Sequence, residues 1–221
     1  MARRYLTLIC AVGALLLLFT ACGTEYNGSN VGDSIQDKII ERAFAEASDI
    51  IENDDNVYVD KVFYGSFTAA DSDEFLALLK FKNNSHVGGF DRTVGVVFSD
   101  KEFDVIGYYD FMADDVTVLP LQLTNGKNLI LYLGETVYQG VSTQTLKLYD
   151  ITKSVWNELP LSYLGLEDGE NCYVCNNGTL VIESYEADAS GFEKSYSVAK
   201  WEVDTGTFVF QNDSETQKSV G

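Results

Sequence analysis

Positive charge is scarce in this chain. Its 221 residues include 15 Lys and Arg against 34 Asp and Glu, which gives a formal net charge of −19. A protein without a basic surface cannot neutralise phosphates, so the composition excludes the usual kinds of nucleic-acid-binding protein. Apolar residues make up 46% of the chain and aromatic residues 13%, which excludes a disordered chain. Proline is rare, with two residues, and the abundance of Tyr and Phe favours β-strands.

The groups that most enzymes use for catalysis are also few. The single histidine, His86, lies in a polar segment predicted to be a loop, so a Ser–His or Cys–His pair has only a solvated candidate base. The chain has no G-x-S-x-G nucleophile elbow and no glycine-rich phosphate or dinucleotide motif. A carboxylate pair for glycan hydrolysis has these candidates: Asp71, Asp73, Glu74, Asp114 and Asp115. All lie in predicted loops, where an acid-rich chain places its charge, so we predict a protein without catalytic activity.

The N-terminus has the zones of a secretion signal. Arg3 and Arg4 precede an apolar run from Leu6 to Phe19. As a helix, this run would reach about 21 Å, short of the ~30 Å hydrocarbon core of a membrane. It therefore predicts a signal peptide over residues 1–21 rather than a spanning helix.

The end of that segment resembles the lipobox of bacterial lipoproteins. The matching residues are Leu18-Phe19-Thr20-Ala21-Cys22-Gly23, with Phe19 where the family usually has an aliphatic residue. The resemblance implies that the Cys22 thiol is joined to diacylglycerol, that residues 1–21 are removed and that Cys22 begins the mature chain. We therefore expect a protein anchored by lipid to the cell membrane and facing outside the cytoplasm.

A polar segment and an amphipathic helix follow the lipobox. Residues 22–33 are predicted to be a tether, residues 34–213 a β-rich globular domain, and residues 214–221 a flexible tail. Apolar residues recur at the 3.6-residue spacing of a helix, which predicts a helix over 35–52 with Ser34 as its N-cap. The apolar positions are Ile35, Ile39, Ile40, Ala43, Phe44, Ala47, Ile50 and Ile51. We expect this face to pack on the chain's own domain.

The remainder of the chain contains an internal repeat. Gly89, Gly140 and Gly191 are each 51 residues apart. The same offset aligns the pairs Leu78-Leu79, Leu129-Ile130 and Leu180-Val181, and aromatic residues recur downstream at Phe98, Tyr149 and Trp201. Each copy is predicted to hold four short strands, within about 57–110, 115–160 and 171–211.

The hairpin from Lys200 to Phe208 resembles the last hairpin of quinoprotein-like and kelch-like propeller blades. Together with the repeat and the predicted helix, this resemblance predicts a mainly β fold of three four-stranded, propeller-like repeats preceded by one amphipathic helix. Closed propellers generally have at least four blades, so three repeats predict an open arc or partial propeller, or an arc that two chains complete. A twisted sandwich or barrel-like arrangement is the alternative.

Cys172 and Cys175 have the spacing C-x-x-C, but within a predicted strand. A redox pair needs a helix N-terminus to lower the thiol pKa, and a zinc site needs two further ligands. We therefore expect two unpaired thiols, with a local disulfide as the alternative. Calcium needs only oxygen ligands, and its weak candidates are Asp71, Asp73 and Glu74, in a segment without the glycine and distal Glu of an EF-hand loop. No other cofactor is expected.

Tyrosines offer one further kind of site. An aromatic platform for sugars or peptides has these candidates: Tyr108, Tyr132, Tyr138 and Tyr185. Core or cross-strand positions are commoner for such residues.

These patterns predict a lipid-anchored interaction or ligand-sensing module outside the cytoplasm, with an unknown protein or envelope glycan as its ligand. The alternative is a cell-envelope glycan hydrolase with paired carboxylates, which requires its acids to converge in one concave pocket. A homodimer is a further expectation to be tested.

Overall fold

The described part of the chain starts with a short strand and a helix and continues as strands. A computed structural model describes residues 25–27, 32–49, 51, 57–81, 92–166, 171–175, 178–188 and 191–211. The predicted signal segment, Cys22, His86, Gly89 and the predicted tail lie outside the described residues. Strand β1 (Glu25–Asn27) precedes helix α1 (Asp33–Glu46).

Twelve further strands follow in chain order. They are β2 (Val57–Gly65), β3 (Glu74–Phe81), β4 (Arg92–Ser99), β5 (Val105–Met112), β6 (Asp115–Gln122), β7 (Asn128–Tyr138), β8 (Val141–Thr152), β9 (Val155–Leu159), β10 (Asn171–Cys175), β11 (Thr179–Asp188), β12 (Gly191–Glu202) and β13 (Thr207–Phe210). One 3-10 turn, Ser162–Leu164, lies between β9 and β10.

These strands form three antiparallel sheets, each built from consecutive strands. Sheet 1 has the order β1-β2-β3-β4-β5, sheet 2 the order β6-β7-β8-β9, and sheet 3 the order β10-β11-β12-β13. The prediction of a mainly β chain with three four-stranded units and one helix is confirmed, with strand bounds that differ by a few residues. Sheet 1 has a fifth strand because residues 25–27, inside the predicted tether, pair with residues 61–63 of β2.

The helix starts earlier than predicted and ends earlier than predicted. The backbone N–H groups of Ile35 and Gln36 both donate to the carbonyl of Gly32. Gly32 is therefore the N-cap in place of Ser34, and no side chain caps this end. The helix ends at Glu46 rather than at residue 52.

The early end of α1 has both a local and a long-range cause. Ser and Asp side chains compete with the helical backbone for hydrogen bonds, and residues 48–49 form a turn. The Asp49 carboxylate instead accepts a hydrogen bond of 2.7 Å from the Tyr108 hydroxyl on β5. Ala47 and Ile51 remain buried beyond the helix, so the predicted apolar stripe still packs on the domain.

The helix and the three sheets stack as layers. Ile39 and Ala43 of α1 share a buried cluster with one face of sheet 1, including Phe75 and Leu79. The opposite face of sheet 1 packs on sheet 2 through residues that include Leu76, Leu78, Val118, Ile130 and Tyr149. The other face of sheet 2 packs on sheet 3 through residues that include Leu119, Leu131, Cys172, Leu180 and Phe208. Sheets 1 and 2 are therefore buried on both faces, which explains the uninterrupted apolar runs in β3 and β7.

The repeat corresponds to a common orientation of the three units. Phe98, Tyr149 and Trp201 lie on the third strands of their four-stranded units, and each faces the preceding layer: α1, sheet 1 and sheet 2 respectively. In the second strands, Leu79 and Ile130 face the preceding layer as aligned, but in the third unit Leu180 does so instead of Val181. Side chains alternate between faces in a strand, so the 51-residue alignment is one residue out of register there.

Candidate functional site

A polar pocket of about 290 Å³ lies at one end of sheet 1. Its lining residues are Tyr64, Gly65, Ser66, Ser72, Asp73, Glu74 and Asp100. The register brings them together, because Gly65 pairs with Glu74 and Glu74 pairs with Ser99. Two of the predicted acids thus meet Asp100, which sequence reasoning did not single out. The available signal was its place in the turn after β4.

Glu74 is buried and organises the loop between β2 and β3. Its side chain accepts hydrogen bonds from the backbone N–H of Phe67 at 2.7 Å and of Thr68 at 2.9 Å. It also accepts one from the Thr68 hydroxyl. A carboxylate held by these three donors closes a loop in which polar backbone groups would otherwise be buried without partners. Glu74 is therefore a structural anchor of this loop.

The other weak calcium candidates lie on the exposed part of the same loop. Asp71 has a left-handed backbone, with φ of 59°, and Asp73 lies 3.5 Å from the ammonium of Lys101. Over the residues that the structure describes, no group of three or more His, Cys, Asp or Glu side chains could hold a metal ion.

Asp114 and Asp115 do not line this pocket. Asp114 Oδ2 accepts a hydrogen bond of 2.6 Å from the backbone N–H of Val137, which fixes the turn before β6 to β7. Asp115 is exposed at the start of β6. The predicted acids are thus divided between two places in the fold.

Two of the tyrosine candidates for an aromatic platform make contacts within the fold instead. The Tyr108 hydroxyl donates to Asp49, and this hydrogen bond, followed by burial, raises the pKa of Tyr108. Tyr132 is buried between sheets 1 and 2, and that burial raises its pKa. The side chains of Tyr138 and Tyr185 lie outside the described part. The aromatic platform therefore has no support from Tyr108 and Tyr132.

An aromatic cluster joins sheets 1 and 2. Tyr149 of β8 lies with its ring centre 4.9 Å from that of Tyr109 of β5, and its hydroxyl donates to the Tyr109 hydroxyl at 2.9 Å. Trp156 and Phe111 complete the contacts, with ring centres 5.8 Å apart. Burial, and then the hydrogen bond to Tyr109, raises the pKa of Tyr149. This cluster is a joint between layers.

Neither cysteine of the C-x-x-C motif forms a disulfide. Cys172 is buried against sheet 2, whereas Cys175 is exposed. Residues three apart in a strand point to opposite faces, so the alternative of a local disulfide does not occur in this structure.

The face of sheet 3 turned away from sheet 2 is the largest departure from the layered pattern. We call it the open face and define it by its apolar residues: Tyr173, Val181, Tyr196, Val198 and Val209. Among the described side chains, none from this face belongs to the three buried clusters. Tyr173 is 49% exposed, Val209 45% and Tyr196 41%. Val181 and Val198 are half-buried, and Glu183, which lies on the same face, is buried. Exposed apolar and aromatic side chains on a sheet face are typical of interaction surfaces.

The described charges of the open face balance. The strand register places Glu183, Lys194, Lys200 and Glu202 on the same face as Val181 and Tyr196. Lys194 Nζ lies 3.2 Å from Glu183 Oε1. The face therefore carries two charges of each sign in a chain whose net charge is −19. The described part of this face therefore lacks the excess negative charge of the chain as a whole.

Comparison with known proteins gives no assignment. No protein-family model matches the chain, and no curated protein matches it. Within the described ranges, no helix has both the length and the apolar character to cross a bilayer.

Proposed function

We propose that the protein is a non-catalytic interaction module, held outside the cytoplasmic membrane by a lipid on Cys22, and that it binds its partner through the open face of sheet 3. The observation that carries this proposal is the open face itself. Every other sheet face in the described stack is covered by a helix or another sheet. An apolar, charge-balanced face at the end of such a stack is suited to a protein partner.

The anchor is supported by the sequence. The apolar run of residues 6–19 is too short to span a bilayer, and Cys22 closes a segment similar to a lipobox. Two acyl chains give stable membrane attachment, where a single chain would be marginal. The net negative charge of the chain does not attract it to anionic headgroups, so the lipid is expected to supply the attachment.

The arrangement of the sheets as an open, propeller-like arc belongs to the same proposal. Three consecutive four-stranded meanders stack in one sense, with the aromatic residues of their third strands facing the preceding layer. Propeller blades are likewise four-stranded antiparallel sheets that follow one another along the chain, which supports this part of the proposal. Helix α1 occupies the position that a preceding blade would take against sheet 1.

A glycan hydrolase is the alternative, and the pocket beside Glu74 is its place in the fold. Asp73, Glu74 and Asp100 line this pocket. Glu74 is engaged by three hydrogen-bond donors of its own loop, which leaves Asp73 and Asp100 as the pair. No described contact gives Asp73 or Asp100 the surroundings of a general acid or a nucleophile. The interaction module is therefore the better-supported proposal.

The anchor is tested by Cys22→Ala in a bacterial host, with Cys10→Ala as the matched control inside the signal segment. We expect the native chain and the control to enter the detergent phase on phase separation. The Cys22→Ala chain should appear as an unprocessed precursor or in the aqueous phase. Unchanged processing and partitioning of Cys22→Ala would refute lipidation at this residue.

A further inference from the structure

We infer that the open face of sheet 3 binds the open face of a second copy of this chain, an inference that rests on the proposed interaction function. The faces directed toward a preceding layer are all occupied, by α1, sheet 1 and sheet 2. Among its described sheets, a second copy therefore has only its own open face to offer. Two identical faces meet about a twofold axis, which closes the assembly at two chains.

Helix α1 blocks the head-to-tail association, in which sheet 3 of one chain would pack against sheet 1 of another and so complete an arc. The helix is fixed to the turn between β4 and β5 by Arg42, whose Nε donates to the Phe103 carbonyl at 3.1 Å and whose guanidinium pairs with Asp104. Lys38 Nζ lies 3.9 Å from the centre of the Phe103 ring. A second chain placing its sheet 3 against sheet 1 would have to displace these contacts and the buried cluster beneath them.

Charge favours the same pairing. Most surfaces of a chain with net charge −19 repel a second copy. The open face carries the described pair Glu183–Lys194 together with the exposed side chains of Lys200 and Glu202. In a twofold arrangement each contact occurs twice in reciprocal form, so one lysine of a face placed against a glutamate of the other would give two such pairs.

The size of the face sets the strength of the dimer. Four strands give a width of about 19 Å, and five residues of β10 give a length of about 16 Å, so each copy covers a projected area of roughly 300 Å². Stable interfaces bury about 800 Å² per partner, so this dimer is weak in dilute solution. Confinement of both copies to one membrane raises their effective concentration and compensates for the small area.

The test uses the full chain in its membrane and a cysteine scan of the open face. In a Cys175→Ser background, single variants Tyr173→Cys, Val181→Cys, Tyr196→Cys and Val209→Cys are oxidised in intact membranes and separated without reductant. Val155→Cys on β9, where the native side chain is 56% exposed, is the matched control. We expect at least one open-face position to give a band of twice the chain mass and the control to give none. Folding of each variant is checked by circular dichroism.

A second pair of variants probes the contact itself. In the strongest cross-linking variant, Val209→Asp should weaken the dimer band at least about tenfold, because it places a charge within the proposed interface, and Val155→Asp should leave it unchanged. If Val209 is itself the strongest cross-linking position, Val181→Asp takes its place. Equal loss from both aspartate variants, or from neither, would overturn the inference.

The remaining outcomes separate this inference from the proposed function. If the chain enters the detergent phase but gives no open-face cross-link, binding of a second copy is refuted and the proposal of an anchored interaction module is retained. A cross-linked band of another mass would show that the open face binds a different protein, which also refutes binding of a second copy. A chain that does not partition into detergent refutes the proposed anchor, whichever bands appear.

Discussion

Among the acidic side chains at the loop between β2 and β3, Glu74 is expected to contribute most to the free energy of unfolding. Its carboxylate accepts hydrogen bonds from two backbone N–H groups, of Phe67 and Thr68, and from the Thr68 hydroxyl. It is 6% exposed, so water cannot replace these bonds when the carboxylate is removed. The loop it closes also fixes sheet 1 to sheet 2, because the Ser66 N–H donates to Asn128 Oδ1 at 3.1 Å.

The magnitude follows from the number and kind of these bonds. In Glu74→Ala, two backbone N–H groups lose their acceptor, and a buried donor without a partner costs about 1–3 kcal/mol, so we expect a loss of about 3–5 kcal/mol in the free energy of unfolding. In Glu74→Gln, the amide oxygen still accepts from the backbone, and loss of the charge lowers stability by about 1–2 kcal/mol. For a domain of this size, these losses correspond to a fall in Tm of roughly 2–4 °C per kcal/mol.

The neighbouring residue supplies the control. Asp73 has a side chain that is 73% exposed, and its nearest cation is Lys101 at 3.5 Å. Exposed ion pairs contribute about 0–1 kcal/mol, so Asp73→Asn should be close to neutral. Urea unfolding followed by circular dichroism measures all three variants. If Glu74→Gln and Glu74→Ala were as stable as Asp73→Asn, the assignment of Glu74 as the anchor of this loop would be wrong.

Two further predictions concern buried side chains. Burial, with the hydrogen bond to Tyr109, raises the pKa of Tyr149, so the folded chain keeps a proton above pH ~10 that the unfolded chain loses. Stability is therefore complete below that pH and falls above it by at most about 1.4 kcal/mol per pH unit; urea titrations should give a shallower alkaline loss for Tyr149→Phe and an unchanged one for the exposed Tyr173→Phe. Cys172, at 4% exposure, should resist alkylation until the chain unfolds, and site-resolved mass spectrometry on a Cys175→Ser chain tests this. Rapid labelling of Cys172 in the folded chain would contradict its place in the core.

The strands and their grouping could be read from the sequence because local patterns specify them. Turn residues such as Asn125-Gly126 end one strand and start the next, and the recurrence of aromatic residues at Phe98, Tyr149 and Trp201 marks the third strand of each unit. The helix bounds were less predictable, because the Tyr108–Asp49 contact beyond its C-terminus joins residues that are distant in sequence.

The candidate sites depended on contacts that the sequence does not encode locally. The run containing Asp71, Asp73 and Glu74 gives no sign that Glu74 turns inward and accepts backbone hydrogen bonds, since this requires the preceding loop to fold over it. Its neighbour in the pocket, Asp100, comes from a different hairpin. The open face was visible only as a weak alternation in β10 and β12.

The sequence by itself determined the acidic character, the strand-rich composition and the repeat of four strands, because each depends on composition or on neighbours along the chain. It also carries the signal-like N-terminus and Cys22, on which the proposed anchor depends. Only the tertiary structure decided which sheet faces are covered. Sheets 1 and 2 are enclosed on both faces, whereas sheet 3 has one face against sheet 2, with Cys172 buried in it, and one outer face, with Tyr173 exposed on it. The stacking order of the layers, a long-range property, leaves that one face at the end of the molecule.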